Sequence, residues 1–102
     1  MKKVILSADG EAGLYLVPDP VADHLEDHCI EFSARWLWQS PDAKQYHRVV
    51  NGIDCVCYDA SAFIDYLNRC CFPEQPSRLL RGLGCQFYEL PGEYRQYPQY
   101  NF

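Results

Sequence analysis

Two histidines four residues apart, His24 and His28, and two pairs of close cysteines, Cys55 with Cys57 and Cys70 with Cys71, are the residues whose types could do chemistry. A spacing of four on a helix points both imidazoles the same way, as zinc-binding helices require. The residues between them are Leu25-Glu26-Asp27, whereas metalloprotease chemistry needs a glutamate directly after the first histidine. Both histidines border an apolar stripe, which suits rings that pack a carbon edge and hydrate their nitrogens. On an extended strand Cys55 and Cys57 would have α-carbons about 6.6 Å apart, while thiolates around one zinc need sulfurs about 3.8 Å apart. No Cys-x-x-Cys spacing is present, and a vicinal Cys70-Cys71 disulfide would be strained. His24, His28, Cys55 and Cys57 are thus the candidates for a metal site, no cofactor is expected, and structural thiols are the favoured reading.

A cysteine nucleophile needs a base within hydrogen-bond reach. Adjacent helical side chains diverge, so His28 does not serve Cys29; a long-range partner such as Cys70 stays open. Gly82-Leu83-Gly84 lacks the preceding strand and following helix of a phosphate loop. Asp23, Glu26, Asp27 and Glu31 are spaced as a solvated helix face. No catalytic residue is assigned.

The elements that must position these groups are legible from pattern. Asp19 is expected to cap, and Pro20 to open, a helix over residues 19–39 whose core stripe is Val21, Leu25, Cys29, Phe32 and Trp36. Ile30, Leu37 and Trp38 fall off that stripe, so a second contact is expected to cover them. Ser40-Pro41 ends the helix and opens a short turn. Lys2 to Ala8, a turn over 9–13, and Leu14 to Val17 read as one hairpin. The second hairpin flanks Asn51-Gly52, with Val50 facing Ile53, Arg48 facing Cys55 and Tyr46 facing Cys57 on one surface. Val49 with Asp54 and His47 with Val56 take the other surface, which separates His47 from Cys55 and Cys57. The first surface is the more apolar and is expected to meet the helices, with Arg48 as its misfit.

Asp59 caps a second helix with a stripe of Phe63, Ile64, Leu67, Cys70 and Cys71, stopped at Pro73. Pro76-Ser77 is expected to open a helical turn through Leu79-Leu80, and residues 84–90 a last strand. The remainder, residues 91–102, has no period; Tyr94, Tyr97 and Tyr100 would share one edge of a polyproline II segment.

At 102 residues, 48% hydrophobic and 15% aromatic, the chain can bury a core as one domain. A net charge of −5 opposes non-specific binding to nucleic acid or anionic membrane. Too few apolar residues follow Lys2-Lys3 to make a signal peptide, and no apolar run is long enough to cross a bilayer. A cytoplasmic, reducing setting is therefore expected, with the six cysteines as free thiols.

Residues 40–46, Val56-Cys57-Tyr58-Asp59 with 63–68, Phe72-Pro73, Leu83-Gly84 and the terminal Tyr-Asn-Phe together resemble a family of short cytosolic bacterial proteins of unassigned function. The resemblance spans most of the chain. It implies a bacterial cytosolic origin and transfers no residue role.

The expected fold is α+β: two β-hairpins forming a small antiparallel sheet, with two main helices packed on one face. Residues 1–90 form the domain and 91–102 an aromatic tail packed on it or on a partner. The leading functional expectation is a non-enzymatic protein-interaction domain, with a homodimer as one form it could take, using Ile30, Leu37, Trp38, Tyr94, Tyr97 and Tyr100. A metal-binding or thiol-sensing protein and a small enzyme with a cleft between helices and sheet are the alternatives.

Overall fold

The computed structural model describes residues 1–8 and 11–102 and has an α+β architecture. Strands β1 (Lys2–Ala8) and β2 (Glu11–Val17) pair antiparallel, Val4 opposite Tyr15 and Ile5 opposite Leu14. The return strand starts at Glu11, earlier than the expected Leu14; Asp9 and Gly10 of the expected turn lie outside the described residues. The helical region over 19–39 comprises α1 (Asp19–Asp23), α2 (Leu25–Ile30), a π-helical stretch (Glu31–Trp36) and α3 (Leu37–Gln39). A 3₁₀ segment (Pro41–Tyr46) leads into β3 (His47–Val50) and β4 (Ile53–Val56). Then come α4 (Ala60–Tyr66) with a π-helical end (Leu67–Cys71), β5 (Arg78–Gln86) and, after two short 3₁₀ turns, β6 (Gln99–Asn101).

The two hairpins do not share a sheet. The main sheet runs β5-β2-β1-β6, and β3-β4 stand apart as a two-stranded ribbon. The physical reason is that both edges of the first hairpin are already taken: β5 pairs antiparallel with β2, and β6 pairs parallel with β1. No edge of that hairpin is left for the second to join.

Strand alternation splits the core by sheet face. Val4, Leu6, Tyr15 and Val17 meet the helices, together with Leu25, Phe32, Leu37, Phe63 and Leu67. Ile5, Ala12 and Leu14 point the other way, where Leu90 and the half-buried Leu83, Phe87, Tyr94 and Tyr97 cover them. The helices thus sit on one face, and the chain's own last third occupies the other. Gly13 is required on the helix face, because a Cβ there would fall 2.9 Å from the Tyr15 ring.

Four local expectations are corrected. Asp19 does not cap: Pro18 is the N-cap residue, and Asp19 in the first turn accepts from the N-terminal ammonium at 2.9 Å. The helical turn expected at 76–80 does not form: strand β5 starts at Arg78, and just before it the Asn68 side chain ties both the N–H (2.6 Å) and the C=O (3.0 Å) of Ser77. Two bulges in β5 against β2 reset its alternation, and Gly84 takes φ +65°, which hides the strand from a period-two pattern. The three tail tyrosines do not share an edge: Tyr94 and Tyr97 pack on the second face, while Tyr100 joins the helix-side core beside β6.

The fourth concerns Leu37, which is fully buried rather than surface-facing. Its N–H bonds back to the carbonyl of Phe32, five residues earlier. A π-helical step widens the turn, so residues five apart stack, and Leu37 comes round over buried Phe32. Trp36, placed in the stripe at 3.6 residues per turn, is left half-buried. The second helix has the same device: Phe72 N–H reaches Leu67 C=O at 2.8 Å, and Tyr66 and Leu67 are buried while Cys70 is exposed. Among the described residues no helix is long and apolar enough to cross a membrane.

Candidate interaction surface

The ribbon is built as its sequence dictates. Asn51 and Gly52 both have positive φ, +53° and +77°, as the tight turn requires. The pairs Val50–Ile53, Val49–Asp54, Arg48–Cys55 and His47–Val56 are those expected, and the Cys57 N–H continues the ladder to the Tyr46 carbonyl at 2.8 Å. Only the base of the ribbon reaches the core, through half-buried Tyr46 and Val56. His47 Nε2 donates to the Leu37 carbonyl, and the His47 ring meets Trp38 edge-on at 6.0 Å.

Beyond that base the ribbon leaves the body of the protein. The surface expected to meet the helices does not: Val50 is 51% and Ile53 65% exposed, and Val49 on the opposite surface is 71% exposed. Arg48, the misfit of that surface, was the readable sign that it is not a core face. Its guanidinium folds along β3 and donates to the carbonyls of Gln45 (2.9 Å) and His47 (2.8 Å). Exposed Trp38 (52%) adjoins the ribbon at His47, on the surface that carries Val49.

The other expected interaction residues are dispersed. Ile30 is 45% exposed on the helix, Leu37 is in the core, and Tyr94, Tyr97 and Tyr100 are half-buried on two different faces of the main sheet. Val50 and Ile53 are the residues that sequence reasoning placed against the helices, whereas Val49 was assigned to the opposite surface.

Of the metal candidates, His24 and His28 lie one helical turn apart, and among the described residues they do not group with Cys55 and Cys57. His24 is exposed at the break between α1 and α2, with φ −133° and ψ 45°, and as the N-cap residue of α2 its carbonyl accepts from the His28 N–H at 3.2 Å. His28 packs against Phe72 at 6.2 Å, and burial, with His24 nearby, pushes its pKa down. Cys55 is half-buried within β4 and Cys57 is exposed just past its end. Among the described residues no three histidine, cysteine or acidic side chains group as a metal site. Burial pushes the Cys29 thiol far up and the Cys71 thiol up, so neither is an activated nucleophile.

A cleft of about 380 Å³ lies between β2, β5 and the start of α4, bordered by Glu11, Tyr15, Asp59 and Ser61. Of its two acids, Asp59 is already engaged: it caps the helix by accepting from Ala62 N–H at 3.3 Å, and it also accepts from the Ser61 hydroxyl. Burial, with Asp59 nearby, raises the Tyr15 phenol, which makes it a poor acid at neutral pH. A second cleft, about 370 Å³, lies where β4 ends, between Val56, Cys57 and Tyr58 on one side and Ala8 and Phe102 on the other.

Comparison with protein-family models, with curated proteins and with solved structures finds no match to this chain.

Proposed function

We propose that this chain is a non-enzymatic protein-interaction module that binds through the β3-β4 ribbon and the adjoining Trp38. One observation carries the reading: Val49, Val50 and Ile53, which are strand-forming apolar residues, are each more than half exposed on a projecting ribbon. Fully burying such a side chain is worth about 1.5–3 kcal/mol, so each retains on the order of 1 kcal/mol to be gained on contact. A ribbon of two four-residue strands is marginal alone, and a partner would complete it. The net charge of −5 favours a protein over a nucleic acid as that partner, and the six free cysteines suit a reducing, cytoplasmic setting.

The test compares the parent protein with a Val49→Asp/Ile53→Asp variant by sedimentation and by affinity capture. The parent should associate with itself or retain a partner. The variant should lose that association while melting like the parent, since both positions are exposed. Identical behaviour of the two proteins in both assays refutes the proposal.

A further inference from the structure

Which backbone groups of the ribbon remain to be satisfied follows from its register. With a two-residue loop the flanking pair is hydrogen-bonded, and bonded and non-bonded rungs then alternate. Val50 with Ile53, Arg48 with Cys55 and Tyr46 with Cys57 therefore point their N–H and C=O groups inward, consistent with the Cys57 to Tyr46 bond of 2.8 Å. Those of His47, Val49, Asp54 and Val56 point outward. On β3 that outer edge is obstructed, because the Arg48 guanidinium occupies the His47 carbonyl. On β4, Asp54 and Val56 have no further backbone partner among the described residues. Among the described residues the β3 edge is thus obstructed at His47, and the β4 edge carries no such obstruction.

We infer that the open edge of β4 pairs antiparallel with the same edge of a second copy of this chain, in a two-fold register centred on Cys55. This deepens the interaction reading above and rests on it. A two-fold axis normal to the sheet requires facing residues to share a surface, so candidate registers step by two residues along each strand. Centring on Asp54 sets two carboxylates directly opposite, which is repulsive. Centring on Val56 faces the two Val56 residues but leaves a single fully bonded rung within β4. Centring on Cys55 sets Asp54 opposite Val56 of the partner subunit on both sides of the axis, and each of those two rungs exchanges two backbone hydrogen bonds.

The same register matches the side chains. Ile53, 65% exposed in the single chain, falls opposite Cys57 of the partner subunit, on the same sheet surface. Cys57 lines the 370 Å³ cleft, so the partner's Ile53 and the turn beyond it enter the space between Tyr58, Ala8 and Phe102. The apolar row Val50, Ile53 then continues across the axis into the partner's Cys57 and the partner's Tyr46, and two marginal ribbons become one four-stranded sheet. On the axis, Cys55 faces its own copy on a non-bonded rung. Their α-carbons would be about 4.5 Å apart, inside the range of about 4.4–6.8 Å that a disulfide accepts.

The test has two independent arms. Sedimentation equilibrium of the full chain over a concentration series should give a species of twice the 11.9 kDa chain mass. Asp54→Pro removes an outward amide that the ribbon itself does not use, and it should weaken association by about tenfold or more, the loss of roughly 1.4 kcal/mol. In the second arm Cys57, Cys70, Cys71 and Cys85 are replaced by serine, leaving Cys55 and buried Cys29, and the protein is treated with diamide. Two Cys55 thiols give up two protons and two electrons to the reagent, which becomes the hydrazine, and a Cys55–Cys55 cross-linked dimer should appear by mass spectrometry. A circular-dichroism melt matched to the parent validates Asp54→Pro; should that variant unfold, the cross-link decides. A monomer at the highest soluble concentration overturns the inference, as does a dimer indifferent to Asp54→Pro or one without the Cys55 bond. A monomer that still retains a different protein through Val49 and Ile53 sinks the self-pairing and leaves the broader reading standing. Loss of both sinks both.

Discussion

Replacing Leu37 by alanine separates a straight-helix reading of residues 19–39 from the observed one. At 3.6 residues per turn Leu37 lies off the core stripe, and a surface change of this kind moves stability by no more than about 0.5 kcal/mol. The π-helical step over Glu31–Trp36 instead seats it in the core with no exposure, in the cluster that holds Phe32, Phe63 and Leu67. Leu→Ala at a closed site removes transfer energy and leaves a cavity, together about 2–5 kcal/mol. A chain of this size has about 5–15 kcal/mol in all, so the change should take about an eighth of it or more. Urea unfolding followed by circular dichroism reads this directly. With a slope of about 1–3 kcal/mol per molar, the midpoint should fall by roughly 0.7–5 M at unchanged slope. Trp38→Ala and Ile30→Ala, at 52% and 45% exposed positions, are the controls and should shift much less. A Leu37→Ala loss below about 1 kcal/mol, or one no larger than that of Trp38→Ala, refutes the packing argument.

Three further outcomes are expected. Asp59→Ala should destabilise the protein by about 0.5–2 kcal/mol by removing the cap on the Ala62 N–H, and Asp59→Ser should recover most of it in the same urea titration. A thiol reagent added to native protein should modify exposed Cys57 and Cys70 first and buried Cys29 only on unfolding; rapid native reaction of Cys29 would contradict its burial. The His28 pKa is pushed down, chiefly by burial, so the unfolded chain binds its proton more readily. Stability is then complete above the ordinary value of 6.5 and falls as pH drops below it. Melting temperatures at about pH 7.5 and about pH 5.5 should show that fall, and His28→Gln should lessen it; an equal fall in both proteins would count against His28 as the source.

Much of the fold was legible because the signals were local. Asn51-Gly52 determined the ribbon register to the residue, since positive φ at both positions admits one tight turn and the turn then determines every pair. Asp59, Ser40-Pro41 and Pro73 marked their boundaries through chemistry contained within four residues. Where a pattern had to be extended by an assumed period, it failed at the irregularity. Leu37 was misplaced by a π-helical step, Arg78–Gln86 was hidden by two register shifts, and Ser77 is tied to Asn68, nine residues earlier. None of these is visible to a rule that counts at a constant interval.

The sequence by itself determined that this chain folds as α+β, where the helical region after Asp59 begins and stops, and which residues of the second hairpin face one another. Only the tertiary structure decided that β5 and β6 take the two edges of the first hairpin and leave the second hairpin outside the sheet. That decision belongs to a competition for backbone hydrogen bonds among segments far apart in the chain, and it converted Val49, Val50 and Ile53 from expected sheet residues into exposed surface. Burial depends on which elements arrive at an edge, and a residue's type and spacing do not carry that information.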